Sequence, residues 1–146
     1  MKLKDSPLGS SNFGKIIREN RYYVDKTMLV RNILKGDDIT LLCRPRRFGK
    51  TLNMQMLRHF FVKGEDNAGL FEGLNISRDE ECMQHLGKYP VIYLSLKEVK
   101  LGNWNDAYLK IKLLLLRAWE EHKNTFKATE WDTEASDAIQ QLKHEN

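Results

Sequence analysis

The string Arg44-Pro45-Arg46-Arg47-Phe48-Gly49-Lys50-Thr51 does most to limit what this chain can become, because it stands between two apolar segments of different period. Ahead of it, Ile39-Thr40-Leu41-Leu42-Cys43 is short, nearly all apolar and bounded by Gly36-Asp37-Asp38, the pattern of a strand buried on both faces of a parallel sheet. Behind it, Leu52, Met56, Leu57, Phe60 and Phe61 recur with helical period until Lys63-Gly64. The string itself cannot extend the strand, since Pro45 lacks an N–H and Gly49 favours an unusual backbone conformation. Strand, loop, Gly-Lys-Thr and helix is the order of a phosphate-binding P-loop. A helix start presents unpaired N–H groups and a positive dipole end to an anion. Gly49 lets the backbone approach the phosphates, Lys50 sets an ammonium between the outer ones, and the Thr51 hydroxyl is placed to ligate a bridging magnesium ion. The first glycine of the general pattern falls at position 44, where this chain has Arg44, so the loop is a variant. Arg46 and Arg47 add charge beside the phosphates, or else turn to solvent or to a neighbouring subunit. Phe48 reads as a packing anchor.

The rest of the chain supplies context. Residues 1–20 read as an arm leading into a helix over 13–19, and Tyr22-Tyr23-Val24 precedes Asp25, which caps a predicted helix over 26–34. Residues 65–81 read as irregular with one short helix. Tyr89-Pro90 introduces a second apolar run, 91–96, read as a strand. A long helix follows from Trp104 or Asn105 to Lys123, with Tyr108, Ile111, Leu115 and Trp119 at core-facing spacing and the Leu113-Leu114-Leu115-Leu116 run widening the buried face. The tail over 132–146 is amphipathic and reads as helical. At 146 residues the chain has the length of one domain or part of one. Lys and Arg number 24 against 20 Asp and Glu, a surplus of +4 that suits phosphate or nucleic acid without deciding for either. Cys43 and Cys82 are too few for a disulfide framework and make no metal-ligand spacing with the four histidines. Neither a signal peptide nor a run of about 20 apolar residues is present, so a cytoplasmic protein without a membrane segment is expected.

These residues carry a resemblance. Tyr22-Tyr23-Val24-Asp25-Lys26-Thr27, the run from Leu41 through the Arg44 string to Leu52, Leu70-Phe71-Glu72-Gly73-Leu74 and Tyr89-Pro90-Val91-Ile92 resemble, in that order, the predicted AAA-ATPase family of bacteria and archaea. The likeness runs from about Leu8 to the helix near Trp119, and in that family arginine in place of the first P-loop glycine looks like the rule. The resemblance implies an α/β fold, the N-terminal portion of an AAA-like P-loop NTPase three-layer sandwich with an incomplete parallel sheet. It implies ATP with Mg2+ as ligand, held by Arg44, Pro45, Arg46, Arg47, Phe48, Gly49, Lys50, Thr51 and Leu52, with Thr51 on the metal and with Asp25 and Lys26 towards the base. Family members typically continue into a Walker B segment ending in Asp-Glu, and many carry a PD-(D/E)XK nuclease-like domain further on.

A hydrolytic P-loop ATPase also needs a second strand that ends in an acidic residue. The run 91–96 instead ends Ser95-Leu96-Lys97-Glu98, so the Walker B strand is expected beyond Asn146 and the chain reads as a truncated portion of such a module. Both strand candidates would then have open neighbours, leaving apolar surface for a protein partner or self-association. Two functions remain open: nucleotide binding at 44–51, and a nucleic-acid or protein interaction patch made of Arg44, Arg46, Arg47 and Lys50.

Overall fold

The computed structural model describes residues 5–6, 10–99 and 102–126, with Asp137, Gln140 and Gln141. Two compact units divide the chain, Met1–Val91 and Ile92–Asn146. In the first, helix α1 (Phe13–Arg18) starts at Asn12, whose side chain accepts the Lys15 N–H at 2.9 Å and so satisfies one donor of the open helix end. Phe13 and Ile16, one turn apart, are fully buried. Gly14 between them is buried too; a Cβ there would stand 3.2 Å from His59 Nε2, so the glycine lets α1 lie close on helix α3 (Lys50–Phe61). Along α3, Asn53, Met56 and Phe60 form the buried stripe, at spacings of three and four. Phe71 closes the core: its ring lies 5.4 Å from Phe13 and 5.2 Å, nearly perpendicular, from Phe60. Helix α2 (Leu29–Leu34) adds Val30, and the short helix α4 (Glu80–Met83), capped by Asp79 on the Cys82 N–H, adds Cys82.

A polar latch ties the segment before α2 to a turn fifty positions away. Asp25 Oδ1 accepts from the Thr27 N–H at 2.8 Å and from the Thr27 hydroxyl at 2.6 Å, while Oδ2 accepts from the Asn75 N–H at 2.6 Å. The Thr27 oxygen in turn accepts from the Ile76 N–H at 3.2 Å, and Thr27 is fully buried. Burial works to raise the Asp25 carboxyl, but the bonds from Thr27 and Asn75 outweigh it and hold the group below its ordinary value. The helix predicted from residue 26 therefore begins at Leu29, because Asp25 organises a turn and a long-range contact instead of a helix cap. Asp25→Ala should lower stability by about 2 kcal/mol, since it leaves the Asn75 and Thr27 donors unpaired; urea denaturation measures this, and a change under roughly 0.5 kcal/mol would mean the latch is slack.

His59, on α3, has a pH signature. Its Nδ1 is buried with no hydrogen-bond partner among the described residues, and Glu65 Oε2 lies 3.7 Å away, beyond bonding range. Burial first, and then Arg58, push the imidazole below its ordinary value of 6.5, against the smaller pull of Glu65. The unfolded chain then binds the proton more readily than the folded one, so this contribution is complete above the unfolded value and is lost as pH falls from there through the folded value. Urea midpoints should decline between pH 7 and pH 5, and His59→Gln should flatten that slope; an unchanged slope in the variant would exclude His59 as its source.

The expected α/β three-layer sandwich with an incomplete parallel sheet is not what the chain forms. Neither 39–43 nor 91–96 is a strand, and the described residues contain no sheet, only an isolated parallel bridge between Val62 and Tyr89. The fold is helix-rich. The reason is physical: a strand is held by a neighbour that takes its N–H and C=O groups, and apolar composition alone does not supply one. Ile39 and Leu41 are 88% and 84% exposed, so the face they share is uncovered, and on the other face Leu42 is only half-buried. Among the described residues the only ladder-like pairing follows α3, where the Tyr89 N–H donates to the Phe61 carbonyl at 2.9 Å and the Lys63 N–H to the Tyr89 carbonyl at 2.9 Å.

In the second unit a 3-10 turn (Leu96–Glu98) precedes helix α5 (Trp104–Phe126). Asn103 starts α5 by accepting the Asp106 N–H at 2.8 Å while its amide donates to the Asp106 carboxylate at 2.7 Å, so the two side chains fix the first turn reciprocally. The long helix is where the spacing places it, but its burial is not: Tyr108, Leu113 and Leu115 are exposed and Lys112 is buried. No helix of the described residues is long and apolar enough to cross a membrane. Most of the predicted tail helix over 132–146 lies outside the described residues; Asp137, Gln140 and Gln141 are helical.

Candidate functional site

The loop 44–49 ends where α3 begins, and its backbone is unusual at alternate positions. Arg47 has φ 68° and Gly49 φ 73° with ψ 18°, both left-handed, while Phe48 between them does not. Among the described non-glycine residues, only Asn20 shares a positive φ with Arg47. Gly49 takes this conformation without steric penalty, and a Cβ at that position would meet nothing within 4 Å, so backbone conformation and not crowding calls for glycine. For Arg47 the left-handed region costs roughly 1–2 kcal/mol. Alternation of the sign of φ turns successive N–H groups to a common side, the backbone form of an anion-binding concavity.

Gly49 is also the N-cap of α3. Its carbonyl accepts the Asn53 N–H at 2.9 Å, the first bond of the helical ladder, and no side chain caps the helix. The N–H groups of Lys50, Thr51 and Leu52 thus precede the ladder at the positive end of the helix dipole. The Lys50 ammonium reaches back over the loop and donates to the Arg44 carbonyl at 2.7 Å, closing residues 44–50 into a ring. Arg44, Arg46, Arg47 and Lys50 are all exposed, which gathers four positive charges on one turn of chain. Thr51 is exposed at the helix start and Leu52 half-buried against the core. Pro45 is exposed, and so is Phe48 at 63%, which corrects its reading as a packing anchor.

Asp25 and Lys26 behave differently from each other. Asp25 is bound up in the latch described above, whereas Lys26 is exposed. The latch is the element that sequence reasoning missed; the Asp-x-Thr spacing signals the local turn, but nothing in the sequence marks Asn75 and Ile76 as its distant partners. Among the described residues no group of His, Cys, Asp and Glu is arranged to hold a metal ion. An open cleft of about 470 Å3, lined by Met28, Arg31, Asn75, Arg78, Asp79 and Glu80, shares no residue with the 44–51 loop. Arg31 there is 3.3 Å from Asp79, a pair that neutralises much of the local charge.

Comparison with known proteins places nearly the whole chain in one family: the family described as "Predicted AAA-ATPase" matches residues 7–146. A protein of Azotobacter chroococcum mcd 1, named "Uncharacterized protein in vnfD 5'region", is 38% identical over 116 residues, which is 79% of this chain and 21% of the relative. The chain thus spans about a fifth of that relative's length. No solved structure matches.

Proposed function

The chain belongs to the predicted AAA-ATPase family, and from that premise we propose that residues 44–51 bind the polyphosphate of a nucleoside triphosphate, ATP with Mg2+, in a variant of the Walker A loop. The observation that carries this reading is the alternation at Arg47 and Gly49 directly before an uncapped helix start, which aims backbone N–H groups at one place. Lys50 supplies the ammonium. It exchanges its bond to the Arg44 carbonyl for phosphate oxygens, a stronger charge-assisted interaction. Thr51 presents its hydroxyl to the magnesium ion that bridges the phosphates, and Arg44, Arg46 and Arg47 add long-range attraction. On this reading the Asp25 carboxylate is largely engaged, since it accepts from Thr27 and Asn75, and the exposed Lys26 is the more open member of that segment towards a base or ribose.

Titration calorimetry tests the proposal. ATP with Mg2+ should bind with measurable heat, and Thr51→Ala should remove most of the gain that Mg2+ confers, a loss of about tenfold in affinity. Equal affinity with and without Mg2+ in the wild-type chain would exclude the role of Thr51. The exposure of four cations on one loop favours a second reading, attachment to a nucleic-acid backbone. That mode predicts affinity that falls steeply with salt and declines by a share with each charge removed, with no requirement for Mg2+.

A further inference from the structure

Between α2 and the 44–49 loop the chain leaves both its backbone and its apolar side chains without a partner. Residues 39–43 belong to no helix, strand or turn, and among the described residues their N–H and C=O groups make no hydrogen bond. Ile39, Leu41 and Cys43, at alternate positions and so on one face, are all exposed. An aliphatic run with open backbone is a template for a strand from another chain. The charges at its ends identify that chain. Asp37 and Asp38 stand before the run and Arg44, Arg46 and Arg47 after it, all exposed, and none makes an ion pair among the described residues. A segment that begins acidic and ends basic is complementary to a reversed copy of itself. We infer that a second copy of this chain covers the run, by antiparallel pairing of residues 38–44 about a two-fold axis at Leu41.

Charge and shape fix the direction and the register. Parallel pairing sets aspartate beside aspartate and arginine beside arginine, whereas antiparallel pairing about Leu41 sets Asp38 opposite Arg44 of the second copy. The same register lays Leu41 on its own counterpart and Ile39 on Cys43, apolar against apolar. Close positions and hydrogen-bonded positions alternate along an antiparallel pair, and Pro45, which has no N–H, fits only where no bond is exchanged. It falls opposite Asp37. Residues 37, 39, 41 and 43 therefore take the close positions, and Thr40 and Leu42 exchange backbone bonds with Leu42 and Thr40 of the second copy. The contact is isologous, so it closes at a dimer. It differs from the parallel sheet within one chain that the sequence suggests, and it does not depend on a nucleotide at residues 44–51.

Sedimentation of the full chain over a concentration series, without nucleotide, tests this. The wild-type chain should dimerise with a Kd of about 10–100 μM, weak because one strand pair is a small interface. Asp38→Arg and Arg44→Asp should each weaken the dimer about tenfold or more, and the two together should restore it to within about threefold of wild type. Both positions are exposed, so thermal unfolding of dilute protein should stay unchanged and separate loss of the dimer from loss of the fold. A residue on the axis faces its own counterpart at about 4.5 Å between Cα atoms, within reach of a disulfide. Leu41→Cys combined with Cys43→Ser should therefore give a covalent dimer on oxidation, and Ile39→Cys in the same background should not. A chain that stays monomeric up to about 500 μM overturns the inference. Dimerisation that the single charge reversals leave intact, that the double reversal fails to restore, or that Leu41→Cys fails to trap places the contact elsewhere and overturns it equally.

Discussion

Phe71→Ala is expected to cost about 3–5 kcal/mol, the range for truncating a buried phenylalanine. Phe71 is fully buried and meets Phe13 of α1 and Phe60 of α3 through its ring, so it is the piece that joins the N-terminal helix, the helix behind the loop and the 68–76 turns into one core. Small domains hold only about 5–15 kcal/mol in all, so the variant should be largely unfolded at moderate urea. The loss includes the apolar transfer of the ring and a cavity that the two flanking aromatic rings cannot close without leaving their own contacts. Urea denaturation followed by near-ultraviolet circular dichroism gives the number. A cost under roughly 1 kcal/mol would show that the aromatic triad is loosely packed and that the core lies elsewhere.

Lys50→Ala should weaken ATP binding by about a hundredfold, the upper end of what one charge-assisted contact to phosphate contributes. The variant also removes the bond from Nζ to the Arg44 carbonyl, so loss of ligand contact and loss of loop closure have to be told apart. Lys50→Arg separates them. A guanidinium spans the same ring and keeps the charge but replaces a compact ammonium with a planar fork, so it should retain loop closure and only part of the affinity. Both side chains lie at the surface, and neither change should move the urea midpoint by more than about 0.5 kcal/mol. Wild-type affinity in Lys50→Ala would place the ligand, if one binds, away from this lysine.

How far the sequence foretold this arrangement differs from segment to segment, for identifiable reasons. Helix α3 was legible because its signal is periodic: of the residues picked out by spacing, Met56 and Phe60 are fully buried, and Leu52, Leu57 and Phe61 pack half-buried against the core. The turn at Gly49 was legible because glycine there answers a backbone need, met in the folded loop by φ 73°. The strands were not. A short apolar run states only that side chains would gain by burial, not which neighbour buries them, and Ile39 and Leu41 have found none. The same limit applies to α5, where helical spacing located the helix but left Tyr108 and Leu115 exposed against expectation. The latch from Asp25 and Thr27 to Asn75 and Ile76 was invisible for a different reason, since a hydrogen bond across fifty residues leaves no periodic trace in the chain. Arg47 was read as a charge beside the phosphates and a member of the ATP-holding loop; its left-handed backbone is a property of the folded loop, and residue type gives no sign of it.

The central claim is that the backbone N–H groups around Gly49 hold a polyphosphate. Amide resonances of 15N-labelled chain, followed during titration with ATP and Mg2+, report on those groups one by one. The account predicts that the N–H signals of residues 47–52 move furthest and saturate together, while the latch residues Thr27, Asn75 and Ile76 stay in place. Saturable binding that moves other amides and leaves Arg47, Gly49, Lys50 and Thr51 still, or no shift at all in folded protein, would contradict it.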